Sequence, residues 1–321
     1  MSGLTAIRTI TGLTCAAAFT AGSAATAAGV SVRTLGAEQM RVSAIGYRIA
    51  AASVRSCARP EMMSGIISHD LTQYPMASRA AVSHAFSMNG GFGVLQIVPG
   101  SAAERAGLHI DDEILAVNDA SVEDPAAMTQ GRPSYEREAR FQGILSNALE
   151  RGPASLLVSR AGQVLRLTLR GDLGCGGDVL LTDSSDLNAW SDGRRVVVTT
   201  AMVRQTANDD ELAFIIAHEM AHNILGHANG HKDSLGLFGL LGFGSSRVKR
   251  MEMDADSYAV PLMSAAGYSP GAGVSFLETA SHHMWWSDLS MDHPSFGRRI
   301  KIVIAAIGRL QQHPAYRVAQ A

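Results

Sequence analysis

The chain has 321 residues, 46% of them hydrophobic and 17% charged, with a formal net charge of -2 at pH 7. Its length allows two domains of ordinary size, and an apolar, charge-poor balance supports packed cores rather than disorder. A near-neutral chain offers no electrostatic case for nucleic acid as a partner, so partners have to be read from motifs.

Residues 1–28 have the order of a signal peptide. Arg8 precedes the apolar run Thr9 to Phe19, and small residues follow in which Ala25-Thr26-Ala27 offers a cleavage site. The run is too short and too rich in Thr and Gly for a spanning helix. Secretion is therefore expected, with an uncleaved anchor as the alternative; Gly12 and Thr14 make Cys15 a poor lipidation site. Removing the signal leaves Cys57 and Cys175. In an oxidising compartment such a pair is a candidate disulfide, and two buried free thiols are the competing reading.

Met40 to Arg59 reads as a helix with Ile45, Ile49 and Ala52 on one face, and the stretch to Ala80 has no clear period. Gly90-Gly91-Phe92-Gly93 then leads into the strand Val94 to Val98, bounded by Pro99-Gly100. A short helix follows from Ser101, closed by Gly107, and Asp111-Asp112 opens a second strand to Asn118. Ser134 to Arg151 reads as a helix, and Leu156 to Val158 with Val164 to Leu169 as a hairpin around Ala161-Gly162. This succession resembles a PDZ domain of the kind found in bacterial envelope proteases. The resemblance implies binding of a C-terminal or extended peptide by strand addition, with Gly91, Phe92, Gly93 and Val94 in the peptide-binding loop and strand. A module that only packs against its neighbour is the alternative.

After Gly171 the character changes. Val196 to Thr200 is a β-branched strand, and Asn208 with Glu211 three residues on forms a capping-box pattern. The helix that starts there is apolar nearly all round and carries His218-Glu219-Met220-Ala221-His222. Residues at i and i+4 share a face, so both imidazoles can reach one ion with Glu219 beside them. A catalytic zinc takes three protein ligands and keeps a position for water. Glu252 is the candidate third ligand, on a second helical stretch where Asp256 lies one turn further along the same face. Gly226 and His227 each miss the metzincin register by one residue.

HExxH followed by E-x-x-x-D resembles the HtpX/BepA/Oma/CAAX-prenyl-protease family of gluzincin endopeptidases. Asn188-Ala189-Trp190 resembles that family's substrate-pairing edge strand, Asn223 and His227 fit it, and Asp292-His293-Pro294 with Arg299-Ile300 resembles its H-P-x-x-x-x-R-I pattern. The resemblance implies Zn2+ held by His218, His222 and Glu252, Glu219 as base, and Asp256 orienting a ligand. It also implies His293 as a donor to the oxyanion or bound peptide and Arg299 paired with site carboxylates. Membrane-embedded relatives carry spanning segments, and this sequence has none of that length. Leu235 to Phe243 is an apolar loop between the metal helices, read as a flap over the cleft; membrane-surface contact or self-association are its alternatives.

The expected fold is α+β. A mostly helical zincin-like domain with a small edge sheet would be built from 29–80 and 172–321, with the PDZ domain of 81–171 inserted between them. The expected function is hydrolysis of envelope proteins in quality control, with protein or peptide substrates presented by the PDZ module. A latent PDZ scaffold with bound zinc competes, as does a zinc hydrolase acting on something other than peptides.

Overall fold

The computed structural model describes residues 19–58, 60–129, 131–227, 246–283 and 294–312. His293, the Leu235 to Phe243 loop and the first part of the signal-like segment lie outside the described residues. The chain is mixed helix and sheet, an α+β architecture.

The first helix, α1 (Phe19–Ala52), is longer at its start than the reading from Met40 and shorter at its end. Its early half is rich in small residues and lacks proline, so nothing interrupts the helix across Ala25-Thr26-Ala27. It stops where the Ser53 hydroxyl donates back to the Ile49 carbonyl at 2.6 Å and a 3-10 turn over Val54–Ser56 redirects the chain. Val42, Ile45 and Ile49 line its buried face at helical spacing.

The stretch without visible period holds β1 (Glu61–Met63), β2 (Ile66–His69) and α2 (Met76–Phe86). Then come β3 (Phe92–Ile97), α3 (Ala102–Arg105), β4 (Glu113–Val117), β5 (Ala120–Ser121), α4 (Glu136–Glu150), β6 (Ala154–Arg160) and β7 (Gln163–Leu169). β2 through β7 form one six-stranded sheet in the order β2-β3-β4-β6-β7, with β5 beside β4. The β6–β7 hairpin turns at Ala161 and Gly162, both at positive φ, as a tight two-residue connection requires. α4 covers one face, stacking Phe141 on Phe92 at 4.1 Å and burying Leu145 and Leu149.

Two expectations are corrected here. The sheet takes in Ile66–His69 and so begins before residue 81. And β3 is an inner strand: it pairs with β2 through Ser68↔Val94 and His69↔Gly93, and with β4 through Phe92↔Ile114 and Gly93↔Glu113. Gly91 already donates its N–H to Glu113 Oε1 at 2.8 Å. On the side where a strand would be added at Gly91, Phe92, Gly93 and Val94, β2 already pairs with Gly93 and Val94. The open edge on that side is β2.

Beyond the sheet lie β8 (Asp172–Gly174), β9 (Asp178–Thr182), β10 (Ala189–Ser191) and β11 (Arg195–Thr199), then α5 (Thr200–Gln205), α6 (Asp209–Ile224), α7 (Ser246–Ala265), α8 (Gly271–His283) and α9 (Phe296–Gln312). A three-stranded sheet runs β10-β11-β9, antiparallel then parallel. The outer edge of β9 is closed by a side chain. Gln39 of α1 donates to the Val179 carbonyl at 3.1 Å and accepts from Leu181 N–H at 2.6 Å, mimicking a neighbouring strand. The early segment is tied to the late one twice more. β1 pairs antiparallel with β8, and Cys57 is disulfide-bonded to Cys175 with Cα atoms 5.6 Å apart. No helix among the described residues is long and apolar enough to cross a membrane.

Candidate metal centre

α6 is the centre of the second core. Leu212, Ala213, Phe214, Ile215, Ile216, Ala217, Met220 and Ala221 are all buried, so the helix is wrapped on every side by α1, α7, α8 and the three-stranded sheet. Each fully buried Leu, Ile or Phe contributes roughly 1.5–3 kcal/mol, which sustains a helix that also buries His218 and Glu219. Its start is capped by Asn208, whose side chain accepts from Glu211 N–H at 3.0 Å. Glu211 accepts in return from Ala207 N–H at 2.8 Å, one residue before the usual capping-box partner.

Three side chains from α6 and α7 converge. His218 Nε2 and His222 Nε2 stand 3.2 Å apart. Glu252 places one oxygen 3.4 Å from the first and the other 3.3 Å from the second. Two unprotonated ring nitrogens that face one another repel unless a proton or a cation lies between them. Glu219 Oε1 and Glu252 Oε2 are buried without a hydrogen-bond partner among the described residues. Such orphaned buried oxygens are costly unless something positive satisfies them. Three buried carboxylates, Glu219, Glu252 and Asp256, face one guanidinium, that of Arg299. The two negative charges left over are what a divalent cation offsets. Nitrogen and oxygen donors in this set fit a metal ion.

The surrounding groups fix those ligands. His218 Nδ1 lies 3.0 Å from Asp256 Oδ1, so its other nitrogen is left to face the converging point. Arg299 of α9 grips Asp256 with two parallel bonds of 2.8 and 2.7 Å. His222 Nδ1 lies 2.9 Å from His227 Nδ1. Burial lowers the His227 pKa to about 4, and the neighbouring His222 ring adds to the effect, so His227 is neutral at pH 7 and can accept a proton-bearing Nδ1. Asn223 clamps the β10–β11 turn: it accepts from Gly193 N–H at 2.8 Å and donates to the Gly176 carbonyl at 2.9 Å.

Between protein groups alone, the charges answer one another. Burial raises the Glu219 carboxyl above its ordinary value, and the two histidines oppose it only in part. Burial would also raise Glu252, but the His218 and His222 imidazoles facing its two oxygens hold it well below the usual carboxylate range. Burial disfavours a charged His218, yet Asp256 and Glu252 carry its pKa up to about 10. A proton on His218 thus stands where a cation would, and the site is built for positive charge.

The structure brings His218, Glu219, His222, Glu252, Asp256 and Arg299 into one cluster. The roles of Asn223 as a clamp and His227 as the partner of His222 were not evident from the residues alone. Their positions after His222 could have suggested them, since a helix end often carries the groups that orient its own ligands.

A buried two-helix His/His/Glu cluster, backed by a carboxylate–guanidinium pair beside an edge sheet, is a donor set that can hold a metal ion. Residues 177–232 match the model of peptidase family M48, and residues 93–129 match that of a PDZ domain. The two matches support an M48-family metallopeptidase that carries a PDZ domain. A comparison with curated proteins found no match.

Proposed function

We propose that the protein is a zinc metalloendopeptidase of the gluzincin type that cleaves proteins of the cell envelope, with the PDZ module selecting or presenting substrate. The observation that carries this is the convergence of His218 Nε2, His222 Nε2 and Glu252 beside the partnerless Oε1 of Glu219. Donor-to-donor separations of 3.2–3.4 Å match the edges of a tetrahedron with metal–ligand bonds of roughly 2.0–2.1 Å, the zinc value.

When bound, zinc supplies Lewis-acid polarisation and makes water acidic enough to ionise near pH 7. Glu219 is the group that takes the proton from the attacking water. Its raised basicity suits that task, and a carboxylate base contributes about 10²–10⁴-fold. Asp256 holds the His218 tautomer and Arg299 holds Asp256. β10 is the outer strand of its sheet and offers an extended substrate a backbone ladder next to α6. His293 serves as donor to the developing oxyanion, on the family resemblance alone.

In this reading the segment before β2 joins residues 172–321 to form the peptidase domain, and the PDZ module, which takes in β2, is inserted between them. The packing of α1 on α6 and α7, the β1–β8 pair and the Cys57–Cys175 bridge support that topology. The disulfide also supports an oxidising compartment, in line with secretion to the bacterial envelope.

The test is removal and return of metal. Treatment with 1,10-phenanthroline should abolish cleavage of unfolded casein, and stoichiometric zinc should restore it with internal cuts visible by mass spectrometry. Zinc bound tightly with no cleavage would replace this reading with a latent PDZ scaffold.

A further inference from the structure

A groove of about 910 Å3 opens between β2 and α4 and continues past β1 and α1 to β9 and the β10–β11 turn. One wall is the open edge of the six-stranded sheet, Ile66 to His69. The β9 side offers no competing ladder, since Gln39 closes that edge. Across from β2, Glu138 of α4 accepts from the Ser68 hydroxyl at 2.7 Å and from the Gln142 amide at 2.8 Å, both through Oε1. Its second oxygen, Oε2, is buried and has no hydrogen-bond partner among the described residues.

Arg137, its chain neighbour, acts on Glu138 only through its charge: its guanidinium lies 3.5 Å from Asp70, donates to the Gly90 and Val122 carbonyls, each at 2.6 Å, and sits over the face of Phe92. Elsewhere in the groove Glu61, Asp178 and Asp183 outweigh the basic side chains Arg194 and Arg195. Burial pushes the Glu138 carboxyl above its ordinary value, and the Gln142 and Ser68 hydrogen bonds oppose it only in part.

We propose that this groove takes an extended peptide segment bearing lysine or arginine, added alongside β2, and that Glu138 Oε2 is the group that selects the basic side chain. The inference rests on the PDZ module being a peptide binder and adds the class of peptide it chooses. A hydrogen-bonded cation at a buried carboxylate is among the stronger polar contacts, and a neutral amide in its place gives only the weaker hydrogen bond of an uncharged donor.

The experiment uses full-length protein carrying Glu219→Gln, so that no probe is cut. Fluorescein-labelled decapeptides of one Ala/Val background, each with a single Lys, Gln or Glu scanned along its length, are titrated by fluorescence anisotropy. The expected result is that lysine at one position binds at least tenfold tighter than glutamine there. Adding Glu138→Gln should erase that ratio while leaving the glutamine peptide within about twofold. Glu138→Gln keeps both Oε1 hydrogen bonds, and an unchanged melting temperature certifies its fold; Glu138→Asp, which withdraws the charge from the groove, should weaken the ratio in the same direction. Saturable binding without preference for lysine, or a preference that survives Glu138→Gln, overturns the selection rule and leaves peptide binding standing. No saturable binding by any decapeptide overturns both.

Discussion

His218 depends on a chain of residues that ends outside its own helix: Asp256 faces its Nδ1, and Arg299 holds Asp256 from α9. Asp256→Asn keeps the shape but removes the charge that makes His218 a stronger donor. Zinc affinity should fall about 10–100-fold, as measured by competition with a chromophoric chelator. Unchanged affinity would mean that Asp256 serves only Arg299. The cluster was legible in the sequence because its spacing is local: His218 and His222 sit one turn apart, as do Glu252 and Asp256, and helical geometry does the rest. The Arg299 fork was less legible, since its partner is set by how α9 packs on α7. His227 was passed over as a metzincin ligand out of register, and its contact with His222 Nδ1 emerges only where the chain turns after α6.

At the scale of elements, α6 carries both imidazoles and begins at a single cap. Asn208→Ala should cost about 1 kcal/mol in chemical denaturation, because Glu211 N–H loses its acceptor; no change would mean that tertiary packing alone holds the first turn. Asp172 joins three elements. It takes hydrogen bonds from Tyr47 of α1 and Arg105 of α3 while lying on β8. Burial pushes its carboxyl up, but the Arg105 and Tyr47 hydrogen bonds outweigh that and hold it below the ordinary value. A carboxyl depressed in the folded state contributes stability above the unfolded pKa, about 3.9, and that contribution disappears as pH falls through the folded value. Melting curves of wild type minus Asp172→Asn should therefore show a gap at pH 6 that closes below about pH 4. A gap that does not vary with pH would contradict the assignment. The helices and the β6–β7 hairpin could be read from period, caps and glycine. β2 could not: its four residues show no clean alternation, and they become a strand only by pairing with β3. With β2 unseen, the glycine-rich run at 90–93 looked like the start of the edge, when it enters an inner strand.

For the whole molecule, the question is what unites residues far apart in the chain. The Cys57–Cys175 bridge spans 118 residues and encloses the entire six-stranded sheet. Closing so long a loop is worth about 2–5 kcal/mol, so Cys57→Ser with Cys175→Ser should lower unfolding free energy by that amount. Equal stability with and without the bridge would place the burden on the α1–α6 packing alone. The count of cysteines offers a candidate pair, with free thiols as the competing reading, whereas the β1–β8 pairing and the Gln39 clasp on β9 have no local signal, being products of how α1 lies against the late half of the chain. The central claim is that one metal held by His218, His222 and Glu252 works with Glu219 as the base. It is tested most directly by comparing wild type with Glu219→Gln for zinc content and casein cleavage. One zinc per chain in both, with cleavage lowered at least about 10²-fold in the variant, is the predicted result; equal cleavage by the two proteins would contradict it.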